Sequence, residues 1–288
     1  MSAVDELVAA LSTRLSARVT LQDQIINGDE AEVWAATADS ARYVVHILTS
    51  AENADHLSWC HDVAIEAAKR VPEVVPPVVV DGASFFRWNG QLVTVFPFVE
   101  GTTLDRNDLV QVRHAARLLA QIHRELLDWT GGQAPWRQNG AGDPSPALDD
   151  PDLDHRWESH LPRLRTGVCH GDYYRRNLLV MDRAVRGVID WHEAHIGPLV
   201  AEVAWAAWEL GHDDEMQLVR PRFDLFVDEY RRAADGQIPE WEYELVPTAT
   251  RVMLRDDIRG ALARGGSSND EYQRHQVNAF WTLERELT

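Results

Sequence analysis

Near Gly101 the chain changes its period. Before it, short runs rich in β-branched and aromatic residues follow one another: VTLQDQII, EVWAATA, RYVVHIL, PPVVV, SFFRW and QLVTVFPFV, with turn residues between them. Only residues 52 to 70 read as a helix within that stretch. After it, apolar residues recur at helical spacing, beginning with NDLVQVRHAARLLAQIHREL. There Leu109, Val112, Ala116, Leu119, Ile122 and Leu126 form a stripe, and Asn107 is the expected N-cap. One sheet or one bundle cannot absorb both patterns. The expected architecture is therefore an α+β chain of two lobes, a small β-rich N-lobe over residues 1–100 and a larger, mainly helical C-lobe over 101–288. Residues 131 to 155, crowded with Gly, Pro and Asp, read as a long surface loop of the second lobe.

With 288 residues, 45% of them hydrophobic, the chain can bury a sizeable core. The N-terminal stretch has apolar residues at Val4, Leu7, Val8, Leu11 and Leu15, the spacing of an amphipathic helix and not the pattern of a signal peptide. No apolar run reaches the roughly 20 residues of a membrane helix. Two cysteines, Cys60 and Cys169, are too few for a disulfide framework, so a reducing, cytoplasmic setting is expected. The net charge of −18 repels nucleic acid and anionic membrane and attracts cations, so a cationic small molecule is the favoured partner. Both monomer and homodimer fit these numbers.

Two segments carry the chemistry, VCHGDYYRRNLLV (168–180) and VRGVIDWHEAHIGP (185–198). Each joins a short strand pattern to a loop, so both are assigned to one small hairpin that brings Asn177 and Asp190 together. An Asp followed at +5 by Asn, and then by a second Asp at the end of an apolar strand, matches the template for kinase-type phosphoryl transfer. A carboxylate, Asp172, orients an incoming hydroxyl and accepts its proton. A carboxamide oxygen from Asn177 and a carboxylate from Asp190 supply hard ligands for Mg²⁺. Gly171 permits a tight loop conformation.

The same residues resemble the aminoglycoside phosphotransferase and choline kinase superfamily, whose fold is protein-kinase-like. The resemblance covers most of residues 21 to 215, including LLAQIHREL before the catalytic loop and AEVAWAAWEL after the metal-binding segment. It implies ATP (or GTP) and Mg²⁺ as cofactors, Asp172 as catalytic base, Asn177 and Asp190 as magnesium ligands, and His170 as a loop-stabilising residue. On the nucleotide side the match is looser. Where members of that family carry a strand Lys or Arg, RYVVHIL has His46, with Arg42 on the same strand face, and Glu66 matches the helix acid that pairs with the cation. NGDEAEVW, containing Gly28, stands where the nucleotide-covering loop belongs, with one glycine in place of three. The adenine hinge falls at Phe96 to Val99. Pro97 keeps a carbonyl acceptor but has no N–H, which leaves Val99 as donor.

Several features have competing readings. Asp190, His192, Glu193 and His195 crowd together as a zinc site would, but the histidines are three apart, not four, so they are expected to line a loop near the phosphates. Cys169 beside His170 is expected to be buried and unreactive, since neighbours on a strand face opposite ways. Trp205 and Trp208 are expected in the core. Glu193, Glu202 and Glu209 are candidates for recognising an ammonium group, with Glu202 equally suited to holding the catalytic loop. Arg175 and Arg176 are candidates for clamping phosphate or pairing with surface acids. The functional expectation is a small-molecule O-phosphotransferase acting on a cationic antibiotic such as an aminoglycoside. The alternatives are a primary-metabolite kinase of choline, homoserine or sugar type, or a nucleotide-binding protein of weak activity.

Overall fold

The computed structural model describes residues 2–27, 31–48, 54–132, 146–263 and 271–287. The fold opens with α1 (Ala3–Leu15), whose N-terminus is closed by a reciprocal capping box between Ser2 and Asp5. Five strands follow, β1 (Val19–Asn27), β2 (Ala31–Ala38), β3 (Ala41–Leu48), β4 (Phe85–Trp88) and β5 (Gln91–Pro97), with α2 (Ala54–Ala68) inserted between β3 and β4. They form one antiparallel sheet in the order β1-β2-β3-β5-β4. Alternation along the strands divides its faces. Val45, Ile47, Val93 and Val95 meet Leu7 and Leu11 of α1 in a buried cluster. His46 and Thr94, paired across β3 and β5, lie on the opposite face with Phe96.

The rest of the chain is built on β6 (Thr102–Thr103), α3 (Leu109–Leu126), α4 (Pro151–Glu158), β7 (Thr166–Cys169), β8 (Leu178–Met181), β9 (Ala184–Val188), β10 (His195–Pro198), α5 (Leu199–Gly211), α6 (Arg220–Ala234), α7 (Val246–Ala263) and α8 (Glu271–Glu286). Small ladders β10-β7 and β6-β8-β9 support the loops, and their buried residues share one continuous core with the helices. The result is the bilobal, protein-kinase-like arrangement, with β-rich and helical parts in the expected order. Among the described residues no helix is long and apolar enough to cross a membrane.

Four local expectations are corrected. The cap of α3 is Asp108, which accepts from Val110 N–H, while Asn107 accepts instead from Arg222 at 2.7 Å. The segment PPVVV forms no ladder strand and touches β5 through the Val78 N–H to Val95 carbonyl bond, because Pro76 and Pro77 have no N–H to give. Residues 131–155 are not loop throughout. Asp150 caps α4, with Pro151 in its first turn, a start signal that Asp-Asp-Pro carries in the sequence. Residues 133–145 lie outside the described residues. The fourth correction concerns the hairpin, which is formed by β8 and β9 alone, while β7 and β10 pair in a separate ladder.

Candidate active site

The segment expected to be catalytic leaves β7 at Cys169 and runs to β8. His170 is fully buried; its Nε2 donates to the Ile189 carbonyl at 3.0 Å, and its Nδ1 accepts from Asp172 N–H at 3.2 Å. That fixes the tautomer and ties the Asp172 loop to the Asp190 loop, the stabilising role expected of His170. Gly171 has φ +85, and a Cβ there would lie 2.1 Å from the Glu193 carbonyl oxygen, so only glycine fits. The Tyr173 hydroxyl donates to the Ala115 carbonyl of α3 at 2.9 Å and anchors the far side of the turn. Cys169 is buried, and burial raises its thiol well above the usual range, as suits an unreactive position. Trp208 is in the core, and Trp205 packs against it half-buried.

Asn177 donates its side-chain amide to both the backbone carbonyl and Oδ2 of Asp172, at 2.9 and 2.8 Å. Its amide nitrogen is thereby committed, leaving the carboxamide oxygen for other use. The Leu178 to Val188 register continues as Ile189 N–H to the Asn177 carbonyl at 3.0 Å, which sets Asp190 beside Asn177. Asp190 has φ +64, a left-handed conformation that Asp adopts more readily than most side chains. One of its oxygens accepts from His192 Nδ1 at 2.7 Å. Among the described residues no group of three or more His, Cys, Asp or Glu is arranged to hold a metal. An amide oxygen beside a carboxylate instead fits Mg²⁺, which takes few protein ligands and completes its shell with water and phosphate oxygens.

The electrostatics divide the two acids. Burial, reinforced by the charge of Asp190, raises Asp172 to about 7. Burial, the largest single influence, would raise Asp190 too, but the hydrogen bond from His192 and its charge, with smaller contributions from His46 and His170, together outweigh it and hold this carboxyl at about 2. One acid is poised to exchange a proton near neutrality while its neighbour stays ionised.

On the sheet side, the half-buried His46 has its ring 5.0 Å from Phe96 and 5.8 Å from His192. Phe96 thus closes the inner wall with its side chain, and burial lowers His46 to about 4. Two expected partners of His46 stand elsewhere. Arg42 is four residues back along β3, roughly 13 Å; it pairs with Glu100 and stacks over Phe98 at 3.6 Å. Glu66 bonds Lys69 at 2.6 Å on the outer part of α2. His61 of α2, which the sequence did not single out, lies buried instead, its ring 6.0 Å from Phe96. At the hinge, Phe98 donates its N–H to the Arg42 carbonyl, and Val99 packs on Gly187. Gly28 lies outside the described residues.

On the helical side, Glu202 is buried behind the loop. Its two oxygens accept from Gly171 N–H at 2.7 Å and bond His123 Nε2 at 2.6 Å. It therefore holds the loop, and its assignment to an acceptor pocket is corrected. His123 sits one turn after Leu119 on the buried face of α3, a polar residue in an apolar stripe. Glu209, from α5, is raised to about 8 by burial and by the charges of Asp257 and Asp172. Glu193 is exposed, and its charge also reaches Asp172. The charge of Arg175 acts on Glu209, and that of Arg176 on Tyr174 and Tyr272, which places both arginines on this helical side. Asp257, on α7, had no local signal, since it reaches the site only through helix packing.

Comparison with known proteins agrees with this geometry. The chain is 27% identical over 212 residues to the homoserine kinase of Methylobacillus flagellatus, a match spanning 68% of this chain and 66% of that protein. Its fold is similar to a thermostable mutant of the aminoglycoside phosphotransferase APH(4)-Ia, with a TM-score of 0.71 at 16% identity over 98% of this chain and 99% of the other. It is also similar to the microcompartment-associated aminopropanol kinase, with a TM-score of 0.68 at 18% identity over 97% of both chains. The family model for phosphotransferase enzymes matches residues 23–241, from the middle of β1 through the Asp172 loop to the segment before α7. A match over that span, with the Asp172 to Asn177 loop and Asp190 at its centre, makes this chain a member of the phosphotransferase enzyme family.

Proposed function

We propose that this protein transfers the γ-phosphoryl group of ATP, with Mg²⁺, to a hydroxyl of a small acceptor bearing at least one cationic group. The observation that carries the reading is Asp172, a buried carboxyl held by Asn177 beside Asp190 and poised near neutral pH. Asp172 orients the acceptor hydroxyl and takes its proton as the new O–P bond forms and the bond between the β-γ bridging oxygen and Pγ breaks, releasing ADP. Asn177 holds Asp172 in place through its amide and, with Asp190, offers oxygens to Mg²⁺. The ion, when bound, neutralises charge on the phosphates. His46, Phe96, Pro97 and Val99 line the nucleotide side of the reading, and AMP-PNP in the complex of the similar aminoglycoside enzyme supports it.

Glu209, Asp257 and the exposed Glu193 support an amine-bearing acceptor, because an ammonium group relieves the repulsion that raises Asp172 and Glu209. A cationic antibiotic of aminoglycoside type is the first acceptor class. A small amino alcohol or amino acid, such as homoserine, is the second, and it is favoured by the 27% identical kinase. The test measures ADP release and acceptor phosphorylation across aminoglycosides, amino alcohols, homoserine and sugars, for wild type and Asp172→Ala. A turnover that falls by roughly 10²- to 10⁴-fold in the variant is expected. Undiminished turnover in Asp172→Ala sinks the mechanism, and the best wild-type acceptor decides the class.

A further inference from the structure

Three imidazoles surround the Phe96 ring at the inner end of the cleft. His46 of β3 is 5.0 Å from it, His61 of α2 6.0 Å and His192 6.4 Å, measured between ring centroids. The positions follow from the elements. His46 shares a sheet face with Thr94, its ladder partner, and with Phe96 two residues on. On α2, Glu66 comes five residues after His61, roughly 140° around the helix, so the two cannot face the cleft together. The face that meets His46 is therefore the histidine face.

His61 is 2% exposed, and its Nδ1 shares a 2.8 Å hydrogen bond with the Ser84 hydroxyl, which fixes the ring. Its Nε2 is buried and makes no hydrogen bond among the described residues, and neither does the buried Thr94 Oγ1 in the same wall. An unsatisfied buried polar atom costs about 1–3 kcal/mol, and folds retain such atoms chiefly where something other than the fold uses them. Burial also keeps His46 and His61 neutral at pH 7, lowered to about 4 and about 3. This end of the cleft thus presents neutral ring nitrogens where a strand cation and helix carboxylate were expected.

We infer that His61 is a positioning residue of the nucleotide pocket, acting behind His46, and that His46 holds the phosphate-bearing donor by a neutral hydrogen bond in place of an ion pair. His46, half-buried, is the ring that reaches the donor, and His61 behind it sets which residue position 46 accepts. A lysine at 46 would set an ammonium against a neutral, desolvated ring, with no carboxylate supplied from α2 and Asp190 the acid whose charge reaches it.

The inference rests on the reading of the cleft as a nucleoside triphosphate site, and the test separates the two. Calorimetry with MgAMP-PNP on the full-length wild type comes first; absence of binding overturns the nucleotide reading and this inference with it. Given binding, His46→Lys is expected to weaken affinity by about tenfold or more, and adding His61→Glu to that variant to recover most of the loss. His61→Gln should raise the ATP KM with little change in kcat. Unchanged affinity in His46→Lys, or no recovery in the double variant, overturns the pairing while leaving the nucleotide site standing. Imidazole ¹⁵N spectra of the wild type need no variant to fold: MgAMP-PNP is expected to shift the His46 and His61 ring nitrogens, and silence of both at saturation overturns the proposal.

Discussion

Asp172 and Glu209 are raised to about 7 and about 8, above the about 6 of Asp256, burial being the first cause of each. The sign of the consequence is fixed by linkage. Between about pH 4.5 and 8 the unfolded chain has released the Glu209 proton and the folded chain still holds it, so stability falls as pH rises through that window. Replacing Glu209 with Gln removes the penalty. The variant is expected to melt at about the wild-type temperature near pH 4 and roughly 5 °C higher near pH 9, measured by calorimetry without ligands. A Tm difference independent of pH would show that Glu209 is not held protonated. The same residue gives an activity prediction of opposite sense. An amine-bearing acceptor binds the ionised carboxylate, so its KM should rise in Glu209→Gln while that of a neutral acceptor stays unchanged.

At the scale of elements, the turn between β7 and β8 owes its shape to one glycine and one buried acid. Gly171 and Gly236 have nearly the same φ, +85 and +82, but a Cβ at Gly171 strikes the Glu193 backbone at 2.1 Å and one at Gly236 meets nothing within 4 Å. Gly171→Ala should therefore displace Asp172 and lower kcat by roughly 10²-fold. Gly236→Ala, carrying only the backbone strain, should leave kcat as it is. Equal effects of the two on kcat would refute a loop held by steric fit. The motif loop was readable because its residues are local, with the Asp, the Asn and the enabling glycine lying within seven positions. The start of α4 was readable too, through Asp150 and Pro151, but the Gly and Pro upstream drew the reading toward loop. The strand assignment of PPVVV failed where two prolines outweighed three valines.

Over the whole molecule, the net charge of −18 sets up a field that attracts cations. Added salt screens that field, with a Debye length falling from about 10 Å at 0.1 M to about 3 Å at 1 M. For a polycationic acceptor, KM is expected to rise about tenfold or more over that range, and for a neutral one to change little. A KM for the polycation that is flat in salt would mean the charge serves solubility alone.

By itself, the sequence determined the order of β-rich and helical parts, the loop that carries Asp172 and Asn177, and the Asp190 that joins it, because periodicity and motif spacing are local properties of the chain. Which side chains meet across the cleft was decided by tertiary structure. Arg42 and His46 share a strand face yet stand roughly 13 Å apart. Glu66 and His61 share a helix but not a side of it. Glu202 met the loop and His123 rather than open space, and Asp257 reached the acid group from a helix more than 80 residues after Asp172. Packing angles between elements set these encounters, and neither composition nor spacing along one segment encodes them.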